Sequence, residues 1–378
     1  MNLDLYRSLR STSRCARHYP ELRSSLEIPH AFGLFGKNIR AKHLIEPFEE
    51  FLEREKFSNS VQILQENAAR ARIVFRTITS SGDDVVVKWC NTDAPGCFNF
   101  IGSMEMERYM HGEVAPKLGV PIPECIRHGH DFIVIRYLEG EPLVDLMVAD
   151  REDELIGSMQ SLLGDLKRLY VETEMEALSA QQFNRLVHRD YQYGIHTRGT
   201  GLRHYLPASL FAPRSAQKRY ERLCKTACKV FDSRAVPWRS CLTIRDLDEH
   251  NLRRHSSSGR IYAVDMEDAR VANMVFDLAW LSTRVVLAER PSAVFGRIDP
   301  LMIQSINSVD TTDPDSSIAL YKNLFAMQLT VALLNPWLWP SFSSFQRTVW
   351  PWRKRGRWLK EGWSVVDRLS SEGREKAL

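Results

Sequence analysis

Hydrophobic residues recur with two different periods along this chain of 378 residues. In the first third, short runs rich in β-branched and aromatic residues occupy 73–78, 85–89 and 131–137, as in buried strands. A Ser-Gly-Asp-Asp sequence at 81–84 separates the first two runs and predicts a hairpin turn. Beyond residue 139 the pattern is mostly helical, apart from a short β-type island at 242–266.

Two further segments of the first third have helical patterns. Residues 40–56 are typical of a charged helix, and residues 100–118 of a second helix that Gly112 and Pro116 should loosen. The order of elements predicts an α+β fold, with a β-rich lobe that contains one helix, a hinge near residue 138 and a larger helical lobe. We expect three regions, which are an N-terminal helical extension (1–58), an N-lobe (59–138) and a C-lobe (139–378).

Composition narrows the class of protein. With 44% hydrophobic and 26% charged residues, the chain has enough apolar side chains for a sizeable core, which excludes a disordered protein. No run of about 20 apolar residues occurs, so no membrane-spanning helix is expected. The seven cysteines are scattered without a CxxC pair, which is typical of reduced thiols in a cytoplasmic protein.

The charge is unevenly distributed, although the net charge is only +4. Residues 141–180, called here the acidic block, contain ten acidic and three basic residues. Residues 181–240, the basic block, contain twelve basic and three acidic residues. A globally basic nucleic-acid-binding protein would not alternate in this way, and the chain has no nucleic-acid-binding motif. We therefore expect no nucleic-acid partner.

Four polar residues stand at the spacing that phosphoryl transfer from ATP requires. Asp246 and Asn251 have the Asp-x4-Asn spacing of a kinase catalytic loop. Asp265 and Glu267 follow an apolar run fourteen residues after Asn251. Carboxylate and amide oxygens are ligands that Mg²⁺ prefers, so this segment is a candidate metal site.

A lysine with an acidic partner stands upstream of these residues. Lys88 follows three valines of a predicted strand, and Glu107 follows 19 residues later on the predicted helix. A strand lysine held by a helix glutamate is the arrangement that contacts nucleotide phosphates in kinases. Glu105 competes for the same role. Glu107 is favoured because of its distance along the chain to the Gly-Val-Pro turn at 119–121.

With these residues the chain resembles the kinase-like phosphotransferase superfamily and, within it, the aminoglycoside phosphotransferase and choline kinase branch. The resembling segments lie between about residues 60 and 285, and they are 85–88 (VVVK), Glu107, 119–123 (GVPIP), 132–140 (FIVIRYLEG), 246–251 (DLDEHN), 264–269 (VDMEDA) and 276–279 (FDLA). The resemblance implies a two-lobed protein-kinase-like fold. It also implies phosphorylation, dependent on ATP and Mg²⁺, of a hydroxyl on a small molecule or sugar.

The resemblance assigns roles to the residues that match. Lys88 would contact the α- and β-phosphates, Glu107 would orient Lys88, and the backbone of Arg136 and Leu138 would meet the adenine edge. On the transfer side, Asp246 would accept or orient the proton of the acceptor hydroxyl. Asn251 and Asp265 would hold Mg²⁺ with Glu267 nearby, and Asp277 would brace the catalytic loop.

Three positions depart from the family pattern. The usual His-Gly before the catalytic aspartate is Ile244-Arg245, the usual histidine two residues after it is Asp248, and the expected phosphate-covering loop at 65–72 has no glycine. These departures keep an alternative open, in which the chain is a pseudokinase that binds nucleotide or a partner without turnover. The sequence His188-Arg-Asp190 also matches a kinase catalytic loop, but Ile195 stands five residues after Asp190, where the metal-binding asparagine should be.

Two predictions concern partners. The positive balance of the basic block favours a neutral or anionic acceptor, unless the acidic block folds over it and neutralises it. Six of the nine tryptophans fall between Trp337 and Trp363, among several arginines and lysines. This segment fits either a peripheral contact with the inner face of a membrane or a C-terminal helix pair packed on the helical lobe, and the second interpretation is favoured.

Overall fold

The computed structural model describes residues 42–57, 61–67, 72–93, 98–148, 151–177, 214–249, 251–266, 268–287, 291–334 and 352–375. The chain divides into two compact units. The N-unit comprises the residues up to Lys117 together with Ile122–Glu139, and the C-unit comprises Leu118–Pro121 and the residues from Gly140 onward. The change of unit after Glu139 lies beside the hinge that the sequence predicts near residue 138.

A five-stranded antiparallel sheet with the order β1-β2-β3-β5-β4 forms the centre of the N-unit. Its strands are β1 (Val61–Asn67), β2 (Arg72–Ile78), β3 (Asp84–Cys90), β4 (Cys125–His128) and β5 (Phe132–Arg136). Strands β2 and β3 form the predicted hairpin, in which Gly82 has a φ of 89°, a conformation that glycine adopts without strain. The sequence pattern does not predict β1, because a register shift between Ile63 and Gln65 interrupts its alternation.

Helix α1 (Lys42–Arg54) covers one face of this sheet. Side chains alternate along β3, so Trp89 points to the same face as Val85 and Val87. The Trp89 ring lies 5.4 Å from the ring of Phe48 and 5.5 Å from that of Phe51, centroid to centroid. Burial of each aromatic side chain stabilises the unit by roughly 1.5–3 kcal/mol. The α1 helix therefore contributes to the core of the N-unit.

The opposite face of β3 carries Lys88, which pairs with a residue of helix α2 (Phe98–Tyr109). A π-helical turn at Met110–Val114 and a short helix α3 (Ala115–Leu118) continue α2. The helical segment is therefore irregular in its second half, where Gly112 and Pro116 predict a looser structure.

The C-unit is mainly helical and contains two three-stranded antiparallel sheets, with the orders β10-β9-β6 and β11-β8-β7. Their strands are β6 (Gly140–Pro142), β7 (Met175–Ala177), β8 (Arg239–Thr243), β9 (Leu252–His255), β10 (Ile261–Ala263) and β11 (Arg270–Ala272). The helices of the unit are α4 (Leu143–Val148), α5 (Glu152–Glu172), α6 (Arg214–Ser233), α7 (Met274–Val286), α8 (Pro291–Val309), α9 (Pro314–Leu334) and α10 (Trp352–Glu375).

Helix α7 is the most deeply buried helix that the structure describes near the predicted catalytic loop. All of its residues except Trp280 are buried, and two of the buried residues, Asp277 and Arg284, are charged. Charged side chains are rarely buried without a partner, so both positions indicate a specific role. The partners of both residues lie in the loop between β8 and β9, as described below.

The C-terminal helix α10 packs on α8 and α9. The Lys322 ammonium of α9 donates to Asp299 of α8 at 2.5 Å and to Glu372 of α10 at 2.6 Å. Val366 and Leu369 of α10 are buried. Of the tryptophan-rich segment, the Trp363 ring packs on the C-unit, with the Arg219 guanidinium of α6 at 5.3 Å from its centroid, whereas residues 335–351 lie outside the described residues. Contact with a membrane through this segment stays a prediction.

Among the residues that the structure describes, no helix is long and apolar enough to cross a membrane.

Candidate active site

Lys88 and Glu107 form a buried ion pair inside the N-unit. The Lys88 ammonium donates to the Glu107 carboxylate, and the two side chains are 4% and 0% exposed. Strand β3 holds Lys88 between Val74 of β2 and Ile133 of β5, so the backbone under it is fixed on both sides. Glu105, the alternative partner, is exposed. A buried ion pair is costly to desolvate, which makes it weak evidence for stability and better evidence for a functional role.

Arg136 is the last residue of β5, and Leu138 lies one residue before the end of the N-unit at Glu139. The Arg136 N–H donates to the Glu124 carbonyl at 2.9 Å, and its side chain donates to the Glu124 carboxylate at 3.1 Å. Tyr137 is held by its N–H on the Asp84 carbonyl at 3.0 Å. Leu138 follows the last strand residue by two positions and is half-buried. Because the Arg136 N–H already donates to Glu124, the carbonyl is the backbone group of Arg136 that we consider for a ligand.

Asp246 and Asn251 contact each other in the loop that joins β8 to β9. The Asn251 amide nitrogen donates to the Asp246 carboxylate at 2.9 Å and to its carbonyl at 3.2 Å. The Asn251 N–H donates to the Asp248 carboxylate at 2.8 Å. Asp248, at the position of the expected histidine, thus caps the turn. Because the Asn251 nitrogen is used internally, the amide oxygen is the group that remains for a metal ion.

Asp277 holds the first half of the same loop from α7. Its two carboxylate oxygens each accept a backbone N–H at 2.8 Å, one from Ile244 and the other from Arg245. Tyr170 donates its hydroxyl to the same carboxylate at 3.2 Å. Burial raises the pKa of Asp277, although the Arg245 charge and these hydrogen bonds act in the opposite direction. The contacts fit the bracing role that the resemblance assigns to Asp277.

Arg245 departs from ordinary backbone geometry. Its φ of 69° lies in the left-handed region, where a residue other than glycine is strained by about 1–3 kcal/mol. The guanidinium lies 4.9 Å from the centroid of the Phe276 ring. The family pattern has glycine here, so the chain adopts the expected backbone shape with a residue that disfavours it. The Asp277 hydrogen bonds hold that shape.

Negative charge is concentrated around Asp246. Its pKa is raised well above the usual range, first by burial and then by the charges of Asp248, Asp265 and Asp268, while Arg284 lowers it. Asp268 is paired with Arg270 at 2.8 Å. Glu267 lies outside the described residues. Asp246 and Asn251 of the loop thus lie within the electrostatic influence of Asp265, which follows β10. A divalent cation bound there would reduce the repulsion between the carboxylates.

No ready-made metal cage is present in the part of the chain that the structure describes, because no group of three or more His, Cys, Asp or Glu side chains is arranged to hold an ion. Beside a nucleotide, Mg²⁺ retains several waters and takes one or two protein carboxylates together with phosphate oxygens. Asn251 and Asp265 fit that pattern of ligands.

The sequence analysis missed one buried pair in the loop. The Arg284 guanidinium of α7 donates to both oxygens of the Glu249 carboxylate, at 2.6 and 2.5 Å. The two side chains are 2% and 5% exposed. The sequence signal was an arginine in a mostly apolar helix, Met-Val-Phe-Asp-Leu-Ala-Trp-Leu-Ser-Thr-Arg, where a buried charged residue indicates a partner of opposite charge.

Residues 178–213 of the two charge blocks lie outside the described residues, and the ion pairs of the rest run mostly to other parts of the chain. The acidic block forms ion pairs with arginines that lie outside the basic block, namely Glu141 with Arg254 at 3.1 Å, Asp165 with Arg260 at 2.7 Å, and Asp153 with Arg297 at 2.7 Å. The described residues contain one ion pair between the blocks, Glu174 with Arg239 at 2.6 Å. Residues 188–190, the competing catalytic-loop sequence, lie outside the described residues.

Known proteins share both the sequence pattern and the fold of this chain. The model of the phosphotransferase enzyme family matches residues 66–298, which include every predicted site residue. Aminoglycoside 2'-phosphotransferase-IIIa, solved as a GDP complex, is 14% identical with a TM-score of 0.51, over 87% of this chain and 98% of that one. Macrolide 2'-phosphotransferase type I is 10% identical with a TM-score of 0.50, over 84% and 95%. No curated protein matches the chain. The structural matches confirm the predicted kinase-like α+β fold.

Proposed function

The chain belongs to the phosphotransferase enzyme family, and we propose that it transfers the γ-phosphoryl group of ATP, with Mg²⁺, to a hydroxyl of a small molecule. The observation on which this proposal rests is the loop of the C-unit, where the Asn251 amide donates to the Asp246 carboxylate at 2.9 Å and Asp277 holds the two residues that precede Asp246. A carboxylate that is held in place beside an amide oxygen suits a site that receives a hydroxyl proton and a cation.

The N-unit supports the nucleotide part of the proposal. The buried Lys88 is oriented by Glu107, so its charge is fixed for the α- and β-phosphates. The Arg136 carbonyl and the Leu138 backbone, at the end of β5, are the groups we assign to the adenine edge. These assignments use backbone atoms and therefore tolerate any side chain at the two positions.

Asn251 and Asp265 would hold the Mg²⁺ ion, with Glu267 as a further candidate ligand. When bound, the ion neutralises charge on the transferring phosphoryl group. Asn251 is ready for this role because its nitrogen is held by Asp246 and its oxygen is left for the ion. Asp265 follows β10, and the Val264 N–H bonded to the Asn251 carbonyl at 2.9 Å ties the two ligand segments together.

Asp246 would accept or orient the proton of the acceptor hydroxyl. The half-buried carboxylate is held on one side by the Asn251 amide, which limits its rotation. General base assistance by a positioned carboxylate contributes about 10²–10⁴-fold to rate. The rest of the rate enhancement would come from positioning and from electrostatic stabilisation of the phosphoryl group.

The direct test is Mg²⁺-dependent turnover. ATP consumption would be measured against a panel of hydroxylated small molecules, with ATP binding measured separately by calorimetry. Acceptor-dependent release of ADP supports the proposal. Binding of Mg²⁺-ATP without transfer to any acceptor would instead favour the pseudokinase alternative, which the strained Arg245 and the glycine-free segment at 65–72 support.

We expect a neutral or anionic acceptor, such as an acidic or phosphorylated sugar. Among the described residues, most partners of the acidic block lie outside the basic block. Lys218, Arg222, Lys225 and Lys229 are exposed on one face of α6. Activity on matched cationic and anionic sugars at low and high salt tests this expectation. Preference for the polycation, weakening with salt, would refute it.

A further inference from the structure

Helix α7 contacts the catalytic loop through two charged residues that lie seven positions apart. Asp277 and Arg284 are separated by two helical turns, so they project from the same face of the helix. Trp280 lies between them on that face, with the Arg284 guanidinium 5.8 Å from the centroid of its ring. One rigid element thus presents a carboxylate and a guanidinium to the same loop.

The two residues hold opposite halves of the loop. Asp277 accepts the N–H groups of Ile244 and Arg245, which precede Asp246. Arg284 binds both carboxylate oxygens of Glu249, which stands between Asp246 and Asn251. The Glu249 carbonyl also accepts the Val144 N–H of α4 at 3.1 Å. The second half of the loop is therefore fixed through both the side chain and the backbone of Glu249.

Stability alone does not account for the Glu249–Arg284 pair. A buried ion pair can often be replaced by apolar residues without loss of stability, because its attraction is offset by the desolvation of two charges. Meanwhile the loop includes a strained residue, Arg245, and strained backbone persists only where surrounding contacts fix it. The bidentate geometry fixes the distance and the orientation of the loop relative to α7.

We propose that Glu249 and Arg284 form a positioning pair, which holds Asp246 and Asn251 in the geometry required for phosphoryl transfer. This inference rests on the proposed function, since the geometry matters for rate only if transfer occurs at Asp246. Displacement of a reacting group by about 1 Å can lower the rate 10²-fold. The pair acts through Asp246 and Asn251, and it does not itself contact the substrates.

The experiment uses the apolar replacement of both partners, Glu249→Leu with Arg284→Met, in the full chain. We expect this double variant to unfold at a urea concentration close to that of the wild type. We also expect kcat to fall roughly 10- to 100-fold, with the ATP dissociation constant unchanged within about twofold. Arg260→Met is the matched control, since Arg260 forms a bidentate pair with Asp165 away from the loop. It should leave kcat unchanged.

Hydrogen exchange of the segment 244–251 provides a second readout that does not need turnover. Faster exchange in this segment alone, in the double variant, supports the inference even if the wild type proves to lack transferase activity and the proposed function fails. Wild-type kcat in a stable double variant, or unchanged exchange of the segment, would overturn the inference and leave the proposed function intact. Should the double variant fail to fold, Arg284→Lys keeps the charge but loses the bidentate contact, and its kcat should still fall. Wild-type kcat in Arg284→Lys would then overturn the inference.

Discussion

The two predicted halves of the site differ in how their charges are balanced. In the N-unit, the buried Lys88 ammonium already has the Glu107 carboxylate as its partner. In the C-unit, Asp246 is surrounded by like charges from Asp248, Asp265 and Asp268, which together with burial raise its pKa. The Lys88 charge is therefore balanced within the N-unit, whereas the Arg284 charge offsets only part of the effect of the acidic neighbours and of burial on Asp246. The group that we assign to the nucleotide is thus balanced by the fold itself, whereas the group that we assign to the acceptor is crowded by like charges.

The same difference predicts opposite effects on stability. Removal of one member of a buried ion pair leaves the other charge buried without its partner, which destabilises the fold. Removal of one carboxylate from a cluster of like charges relieves repulsion, so the folded state gains stability while function is lost. Substitutions in the two regions therefore test the comparison directly.

The largest effect is expected for Asp246→Asn. Because the amide keeps the shape of the side chain but cannot take a proton, we expect kcat to fall about 10²–10⁴-fold. The affinity for ATP should change little, because the nucleotide contacts are assigned to Lys88 and Asp265. Steady-state kinetics and calorimetry measure the two quantities. Asp232→Asn, a change at an exposed position of α6, is the control.

The variant Asp246→Asn should also be more stable than the wild type in the absence of metal. If it retained full turnover, the assignment of the catalytic loop would be wrong and residues 188–190 would become the alternative. If it lost stability, the account of Asp246 as a carboxylate crowded by like charges would be wrong.

Breaking the N-unit pair should cost stability. We expect Glu107→Ala to destabilise the N-unit by about 3–5 kcal/mol, since it leaves the Lys88 charge buried without its carboxylate partner. Urea unfolding, followed by circular dichroism, measures the change. Glu105→Ala on the same helix is the matched control, because Glu105 is exposed and should cost less than about 0.5 kcal/mol. Equal losses in both variants would contradict the pairing.

A smaller effect on binding is expected for Asp265→Ala. Loss of a charge-assisted contact of about 1.5–3 kcal/mol should weaken binding of Mg²⁺-ATP roughly 10- to 150-fold. ATP without metal should bind as it does to the wild type. Asp268→Ala serves as the control on the same turn, because Asp268 is paired with Arg270. An identical Mg²⁺-ATP titration for Asp265→Ala and the wild type would remove Asp265 from the metal site.

Much of the N-unit could be predicted from sequence because its signals are local. The three valines before Lys88 are β-branched residues typical of a strand, and their side chains alternate between the two faces of the sheet. Gly82 marks the turn of the hairpin. The strand β1 was missed because the register shift after Ile63 breaks the period of two on which strand prediction depends. A bulge is defined by the partner strand, and a single run of residues does not reveal it.

In the site, the residues recognised from sequence are those with fixed spacing along the chain. Asp246 and Asn251 are five residues apart, and their contact follows from a single turn. Glu249 and Arg284 are 35 residues apart and meet only because α7 packs beneath the loop. Nothing in the local sequence selects Glu249 among the acidic residues near Asp246. Tertiary packing decides that pairing, and a single sequence shows only that the buried arginine needs some partner.

The last prediction compares Asp246 with a carboxylate of the C-unit that is fully compensated. Burial alone would raise the pKa of Asp310, but hydrogen bonds from Ser317, Thr312 and the Asp313 N–H, with the Arg234 charge, lower it from 3.8 to about 2. Asp310 therefore contributes stability that is present above pH 4 and is lost as the pH falls towards 2. Asp310→Asn should cost about 2 kcal/mol at pH 7, at 1.36 kcal/mol for each pKa unit.

Asp246 has the opposite sign. Its raised pKa contributes stability that is complete below the unfolded value of 3.8 and is lost as the pH rises through the folded value. At neutral pH the wild type should be more stable than Asp310→Asn, and this advantage should disappear as the pH falls. At neutral pH the wild type should be less stable than Asp246→Asn, and this disadvantage should also disappear as the pH falls. Urea unfolding between about pH 3 and 8 measures both slopes. Slopes of the same sign in the two variants would contradict the division between compensated and uncompensated carboxylates.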